Sequence, residues 1–149
     1  MDRETFIGFV EQANPHTVFA PLGIRVSAYD PDAFAVTLDA DRRHHQHVGV
    51  VHGGIYALLA ESAASMAAAM YVDMSTHTIA GVDLNATHIK LKRSGTLTAT
   101  ARPLHRGRSI HVYAVDVTDE AGDLVSACRC TIAVRQRKEG LKSKVESPK

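Results

Sequence analysis

The chain lacks an excess of charge of either sign: 17 Lys and Arg stand against 16 Asp and Glu, a formal net charge of +1. That balance removes general attraction to nucleic acid or to an anionic membrane as an organising principle. It also lacks the roughly 18 uninterrupted apolar residues of a spanning helix. The nearest stretch, residues 53–72, is broken by Glu61, Ser62 and Ser65. Met1-Asp2-Arg3-Glu4 has neither the basic start nor the apolar centre of a secretory signal. Cysteine is scarce, with only Cys128 and Cys130. Two positions apart on a strand, they share a face and bridge poorly. They read as half-buried free thiols in a reducing, cytoplasmic setting.

What is present fits one domain of 149 residues, 45% hydrophobic and 22% charged, long enough for a real core. Residues 5–13 read as a short helix with Phe6, Ile7, Phe9 and Val10 on one side, stopped by Asn14-Pro15. Residues 23–29 and 33–39 read as strands around Asp30-Pro31-Asp32, and residues 41–51 as a polar, histidine-rich loop. A long helix follows over 53–72. Its Ala60, Ala63, Ala64, Ala67 and Ala68 let a sheet approach closely, and its few long polar side chains predict burial nearly all round. Four strand-like segments, 77–91, 96–105, 109–118 and 124–134, are punctuated by Gly95, Gly107 and Gly122, with a hairpin turn at 119–123. One buried helix and one long antiparallel sheet predict an α+β domain with the sheet curled around the helix. The tail, 136–149, carries five Lys or Arg against two Glu and little apolar surface, a composition that predicts disorder.

The chemistry concentrates in Gln46-His47-Val48-Gly49-Val50-Val51-His52-Gly53-Gly54, with Glu61 nine residues after His52. A helix N-terminus presents backbone N–H groups and partial positive charge to a developing oxyanion, and Gly53 and Gly54 have no side chains to block access to them. A carboxylate on an apolar helix is costly unless it is paired or used. Taken alone, Glu61 is equally a partner for Arg93 or Arg129. Ser65, four residues on, shares its helix face. Together these residues point to acyl transfer: a nucleophile or base, and a donor aimed at the new oxyanion.

Residues 46–61, 82–88 and 104–109 resemble the hotdog-fold acyl-CoA thioesterases, in particular the phenylacetate-pathway and menaquinone-type branch that includes 4-hydroxybenzoyl-CoA thioesterase-like enzymes. The resemblance covers about residues 23–134, preceded by an N-terminal helix and lead-in over 1–22. It implies a hotdog fold, with Glu61 as nucleophile or general base, the Gly53 N–H with Gly54 adjoining as oxyanion donors, and Gln46 as positioner. It implies that Ser65 supports the acid or the substrate and that His52 shapes the loop around Gly53. It also implies a homodimer or a tetramer, no metal, and coenzyme A arriving only as part of the substrate.

Around this set, Asn85 and Thr87 share a strand face with Asp83, which suits a site lining, a dimer seam or plain solvent. Lys90, Lys92, Arg93, Arg106 and Arg108 suit coenzyme A phosphates, and Arg106-Gly107-Arg108-Ser109 suits them best: two guanidiniums and a hydroxyl around a glycine turn. His44, His45, His47 and His52 have no metal-ligand spacing and read as polar loop residues. Ile55, Tyr56, Leu58 and Leu59 are expected in the acyl pocket wall. Two other readings compete: a thioester hydratase or dehydratase, disfavoured by the absence of a proline-rich histidine loop, and a non-catalytic acyl-CoA-binding module, disfavoured by the intact acid, glutamine and glycine pair. Residues after Arg137 are expected to be dispensable: a chain stopped at Gln136 should keep its melting temperature and activity, and a marked drop in either contradicts that.

Overall fold

The computed structural model describes residues 3–137; most of the basic tail lies outside them. The N-terminal helix α1 (Arg3–Ala13) ends in a 3-10 turn at Asn14–His16, where Pro15 cannot continue an α-helix. A further turn of helix, α2 (Phe19–Leu22), has no periodic signal in the sequence and leads into the first strands. These are β1 (Arg25–Ala28) and β2 (Phe34–Ala40), followed by a 3-10 turn at Arg42–His44 and then α3 (Gly53–Tyr71). Four strands complete the chain: β3 (His77–His88), β4 (Gly95–Arg106), β5 (Ile110–Thr118) and β6 (Leu124–Gln136).

The six strands form one antiparallel sheet in the order β1-β2-β4-β5-β6-β3. Local patterning marks every strand within a few residues but not its neighbour. β3 does not pair with β4, which follows it; it lies along β6 at the sheet's edge. α3 packs against the sheet through Leu59, Ala60, Ala63, Ala64, Ala67 and Ala68, each fully buried. Opposite them lie Phe34, Val36, Leu38, Leu97, Val115, Val117 and Ile132. Methyl-sized side chains keep the helix close to the curled sheet, and burial of the surrounding branched residues drives the packing. Phe6, Val10 and Phe19 join the same core, so the N-terminal lead-in is packed onto the domain.

The expectation that α3 is buried all round is corrected. Glu61 is exposed, and Leu58, Ser62, Ser65 and Met66 are half-buried along one stripe, because the sheet covers only the alanine face. Cys128 and Cys130 are buried free thiols on β6. Burial, then the charges of Cys128, Glu61 and Asp83, pushes the Cys130 thiol up to about 12, which makes it a poor nucleophile. At the chain's other end, Arg137 donates from its backbone N to Thr76 O (2.8 Å) and from Nε to His77 O (3.1 Å). The truncation that tests the tail therefore belongs after Arg137.

The 119–123 turn is an electrostatic knot. Asp119 Oδ1 accepts the Ala121 and Asp123 amides at 3.1 and 3.0 Å, while Oδ2 pairs with Lys92 Nζ at 3.0 Å and Lys90 Nζ at 3.4 Å. The hydrogen bond from Lys92, above the other contacts, lowers the Asp119 carboxyl to about 2. A carboxyl lowered on folding adds stability above its unfolded value and loses it as the pH falls through its folded one. Asp119→Asn should therefore lower the melting temperature by a constant amount above about pH 5. That gap should close as the pH falls from about 4 toward 2, and a gap independent of pH across that window contradicts the ion-pair account.

Candidate active site

The loop before α3 is built from its histidines. His44 is fully buried; its Nδ1 accepts the Asp41 amide at 2.9 Å and its Nε2–H donates to Leu22 O at 2.9 Å. His45 Nε2 donates to Arg93 O at 2.6 Å. Arg93 Nη1 reaches back to Gly49 O at 2.9 Å, so Arg93 fastens this loop and does not pair with Glu61. Gln46 accepts the Val48 amide on Oε1 at 2.6 Å. Its NH2 donors have no partner among the described residues.

His52 caps α3 and settles which glycine can act. Its Nδ1 accepts the Gly54 N–H at 2.8 Å. Gly54 is thus corrected as an oxyanion donor: its hydrogen is already engaged. The Gly53 N–H has no acceptor among the described residues and points out of the helix start, where the dipole favours negative charge. Gly53, Gln46, Tyr56 and His88 line one cleft with Val50, Val51 and Lys90. A Cβ on Gly53 would lie 2.6 Å from His88 Nε2, so any larger residue here must displace the His88 ring. Tyr56 packs on the His88 ring, centroids 5.3 Å apart. Burial pushes the Tyr56 phenol above its ordinary pKa against the nearby Lys92 backbone and charge. The phenol oxygen has no hydrogen-bond partner among the described residues. His88 was not singled out from the sequence, because nothing local links it to Gly53.

Glu61 opens elsewhere. It lines a second cavity with Phe19, Leu58, Ser62, Ser65 and Met66, and neither Gly53 nor Gln46 reaches it. Its carboxylate makes no hydrogen bond or ion pair among the described residues, so the pairings with Arg93 and Arg129 are not made. It lies against β3, where a Cβ on Gly81 would strike its Oε1, beside the bulge between Gly81 and Asp83. Ser65 shares the Glu61 cavity, as its i+4 spacing predicts. Leu58 belongs to this cavity wall, whereas Leu59 is fully buried in the core, which corrects its expected place in the pocket.

Two basic candidates are corrected. Lys92 is tied to Asp119 and Glu120. Arg106 is bound to Asp32 through Nη1 at 2.6 Å and to Pro31 O, with its guanidinium 4.4 Å over the Tyr71 ring. Tyr71 is the last residue of α3, and a helix of 19 residues is roughly 27 Å long. The Arg106-Gly107-Arg108-Ser109 turn thus stands at the opposite end of α3 from Gly53 of its own chain. Arg108 and Ser109 are exposed, and Gly107 N–H closes the turn on Ile110 O at 2.9 Å. Asn85 is exposed on the edge strand, on the same face as Asp83 and Thr87.

Similarity to known proteins fits this geometry. A family profile described as the thioesterase superfamily matches residues 48–126. The chain belongs to the thioesterase superfamily. It is 36% identical over 118 residues to a 1,4-dihydroxy-2-naphthoyl-CoA hydrolase of Listeria monocytogenes, covering 79% of this chain and 95% of that one. It is 33% identical over 132 residues to the proofreading thioesterase EntH of Klebsiella pneumoniae, covering 89% and 96%. Among solved structures, thioesterase PA1618 of Pseudomonas aeruginosa superposes with a TM-score of 0.83 at 34% identity, covering 92% of this chain and 96% of that one. The fold is the hotdog fold of these thioesterases, with α3 as its central helix, and the chain is a thioester hydrolase. No helix among the described residues is long and apolar enough to cross a membrane.

Within this thioesterase, Gly53→Ala keeps an allowed helical backbone but drives a methyl group into His88. Turnover should fall on the order of tenfold or more while the melting temperature changes little, since surface-level adjustments cost within about 0.5 kcal/mol. Unchanged turnover contradicts the close approach of His88 to Gly53.

Proposed function

We propose that the protein hydrolyses aryl- or acyl-CoA thioesters to the free acid and coenzyme A, in sites shared between two copies of the chain. The observation that carries this is the division of the machinery: Gly53 and Gln46 open to one cavity and Glu61 to another. In one chain the acid is eight residues from Gly53, roughly 12 Å along the helix. A reacting carbonyl needs both groups within about 3 Å of its atoms. A second copy lying antiparallel across a two-fold axis brings its Glu61 to the first copy's Gly53. Two features favour that mate: the half-buried stripe of α3, and the 12-residue edge strand β3, whose unpaired backbone otherwise invites uncontrolled strand addition. Asn85 and Thr87 then fall beside the seam.

The chemistry follows from the groups. The Gly53 N–H takes the developing oxyanion, with the helix dipole behind it, and the Gln46 amide orients the carbonyl. Glu61 attacks the thioester carbon or takes a proton from the attacking water. Ser65 holds the acid or the acyl group, and His52 keeps Gly54 occupied so that the helix start stays rigid. Phe19, Leu58 and Met66 beside Glu61 give an apolar wall for the acyl group, and the CoA-hydrolase names among the relatives favour an aromatic one. Arg108 and Ser109 remain available for phosphates. No step is assigned to a metal or redox cofactor.

The experiment is free-thiol release across a panel of aromatic and aliphatic CoA thioesters, for the parent chain and Glu61→Gln. Thiol release by the parent is expected, with aromatic thioesters turned over fastest. Glu61→Gln should lower kcat by about 10²-fold or more, as loss of a catalytic base or nucleophile does, while KM and melting temperature hold. A change in double-bond absorbance without thiol release points instead to a hydratase, and binding with neither points to a sensor.

A further inference from the structure

The geometry points to His88 as the general acid that protonates the departing thiolate, a role that rests on the thioesterase reading above. His88 ends β3 and lies against Gly53, its Nε2 being the atom a Gly53 Cβ would strike at 2.6 Å. Its other nitrogen is held from behind. His88 Nδ1 lies 3.0 Å from Ser126 Oγ, and Ser126 is fully buried on β6. The Ser126 hydroxyl has one proton, and its Oγ lies 3.2 Å from Thr87 O, an atom that can only accept. Ser126 Oγ also meets Cys128 Sγ at 3.5 Å, where either atom can donate; with the Ser126 proton assigned to Thr87 O, Ser126 accepts from His88 Nδ1–H. In that arrangement His88 carries one proton at Nδ1 and exchanges the other at Nε2, in the cleft that Gly53 and Gln46 line. The Tyr56 ring steadies the imidazole from the side. Lys90 is the one other ionisable side chain in that cleft besides Tyr56, and its ammonium is paired with Asp123 at 2.6 Å.

Histidine is the side chain suited to holding and passing a proton near neutrality. With Nε2 protonated, the step balances. Glu61 of the second copy takes a proton from water, the hydroxide adds to the thioester carbon, and the Gly53 N–H holds the oxyanion. Collapse re-forms the carbonyl and breaks the C–S bond, and the sulfur takes the Nε2 proton. His88 is left neutral with its proton on Nδ1, facing Ser126, and the proton on Glu61 returns to His88 through solvent. The sum is thioester plus water giving acid plus thiol. If Glu61 attacks directly, the same C–S cleavage and the same proton transfer occur in the first half of the reaction. No other described group in this cleft offers an imidazole nitrogen beside Gly53.

A general acid matters in proportion to how poor the leaving group is. The test compares benzoyl-CoA, an alkyl thiol ester, with S-(4-nitrophenyl) thiobenzoate, whose thiolate leaves without help. The variants are His88→Asn, which can retain the Ser126 contact, His88→Gln, and Glu61→Gln as control. For each His88 variant that melts with the parent, the loss in kcat on benzoyl-CoA should exceed the loss on the activated ester by about thirtyfold or more. Glu61→Gln should lose both alike. Equal losses on the two esters from the His88 variants, or no loss on either, overturn the general-acid role and leave the thioesterase reading standing. A parent chain that cleaves neither ester overturns both.

Discussion

The constraint on which the rest depends is the close approach between the sheet and the alanine face of α3. Ala60, Ala63, Ala64, Ala67 and Ala68 are fully buried, and larger side chains there would overpack the core at about 1–3 kcal/mol each. Because the sheet curls around this narrow face, it cannot also cover the opposite one. The stripe bearing Leu58, Glu61, Ser62, Ser65 and Met66 is therefore left for something else to cover. The same wrapping sends β3 to the edge beside β6, with its outer backbone unpaired and Glu61 resting on Gly81. Both the acid and the surface that would meet a second copy follow from how one helix fits into one sheet.

Capping then decides the chemistry at the start of that helix. Two adjacent glycines look equivalent, but the His52 ring occupies the Gly54 amide and leaves Gly53 as the available donor. His88 closes over Gly53 so tightly that any side chain there must displace its ring. Elsewhere, charge serves the scaffold: Lys92 and Lys90 hold the 119–123 turn through Asp119, and Arg106 fastens Asp32 and Tyr71. Lys92 and Arg106, half-buried beside dedicated carboxylates, are not free to meet a phosphate.

Much of this was legible in the sequence, and the boundary has a physical cause. Hydrophobic period, glycine punctuation and the alanine run marked α3 and all six strands, because those signals are local. The place of β3 was not local: its neighbour β6 lies far along the chain, and nothing in residues 77–91 names it. The pattern from Gln46 to Glu61 indicated a carboxylate and a helix start suited to thioesters, which one chain opens to separate cavities. It could not separate Gly53 from Gly54, which turns on which way the His52 ring points. Nor could it see that Lys92 and Arg106 were committed to Asp119 and Asp32, or that His88 meets Gly53, since each pairing is made by the fold. α2 was missed because one turn of Phe19-Ala20-Pro21-Leu22 is too short to show a period.

The central claim is that Glu61 of one copy works with Gly53 of another, and subunit mixing tests it most directly. Glu61→Gln removes the acid. Gly53→Pro removes the donor N–H at a first helical position, where proline is tolerated, and the extended backbone of His52 before it (ψ 135°) suits that neighbour. Each variant alone should be folded and inactive. Mixed, their hybrids contain one site with both defects and one with neither, so thiol release should rise as hybrids form, toward about half the parent's rate per hybrid dimer. No recovery in hybrids verified by mass spectrometry contradicts the shared site.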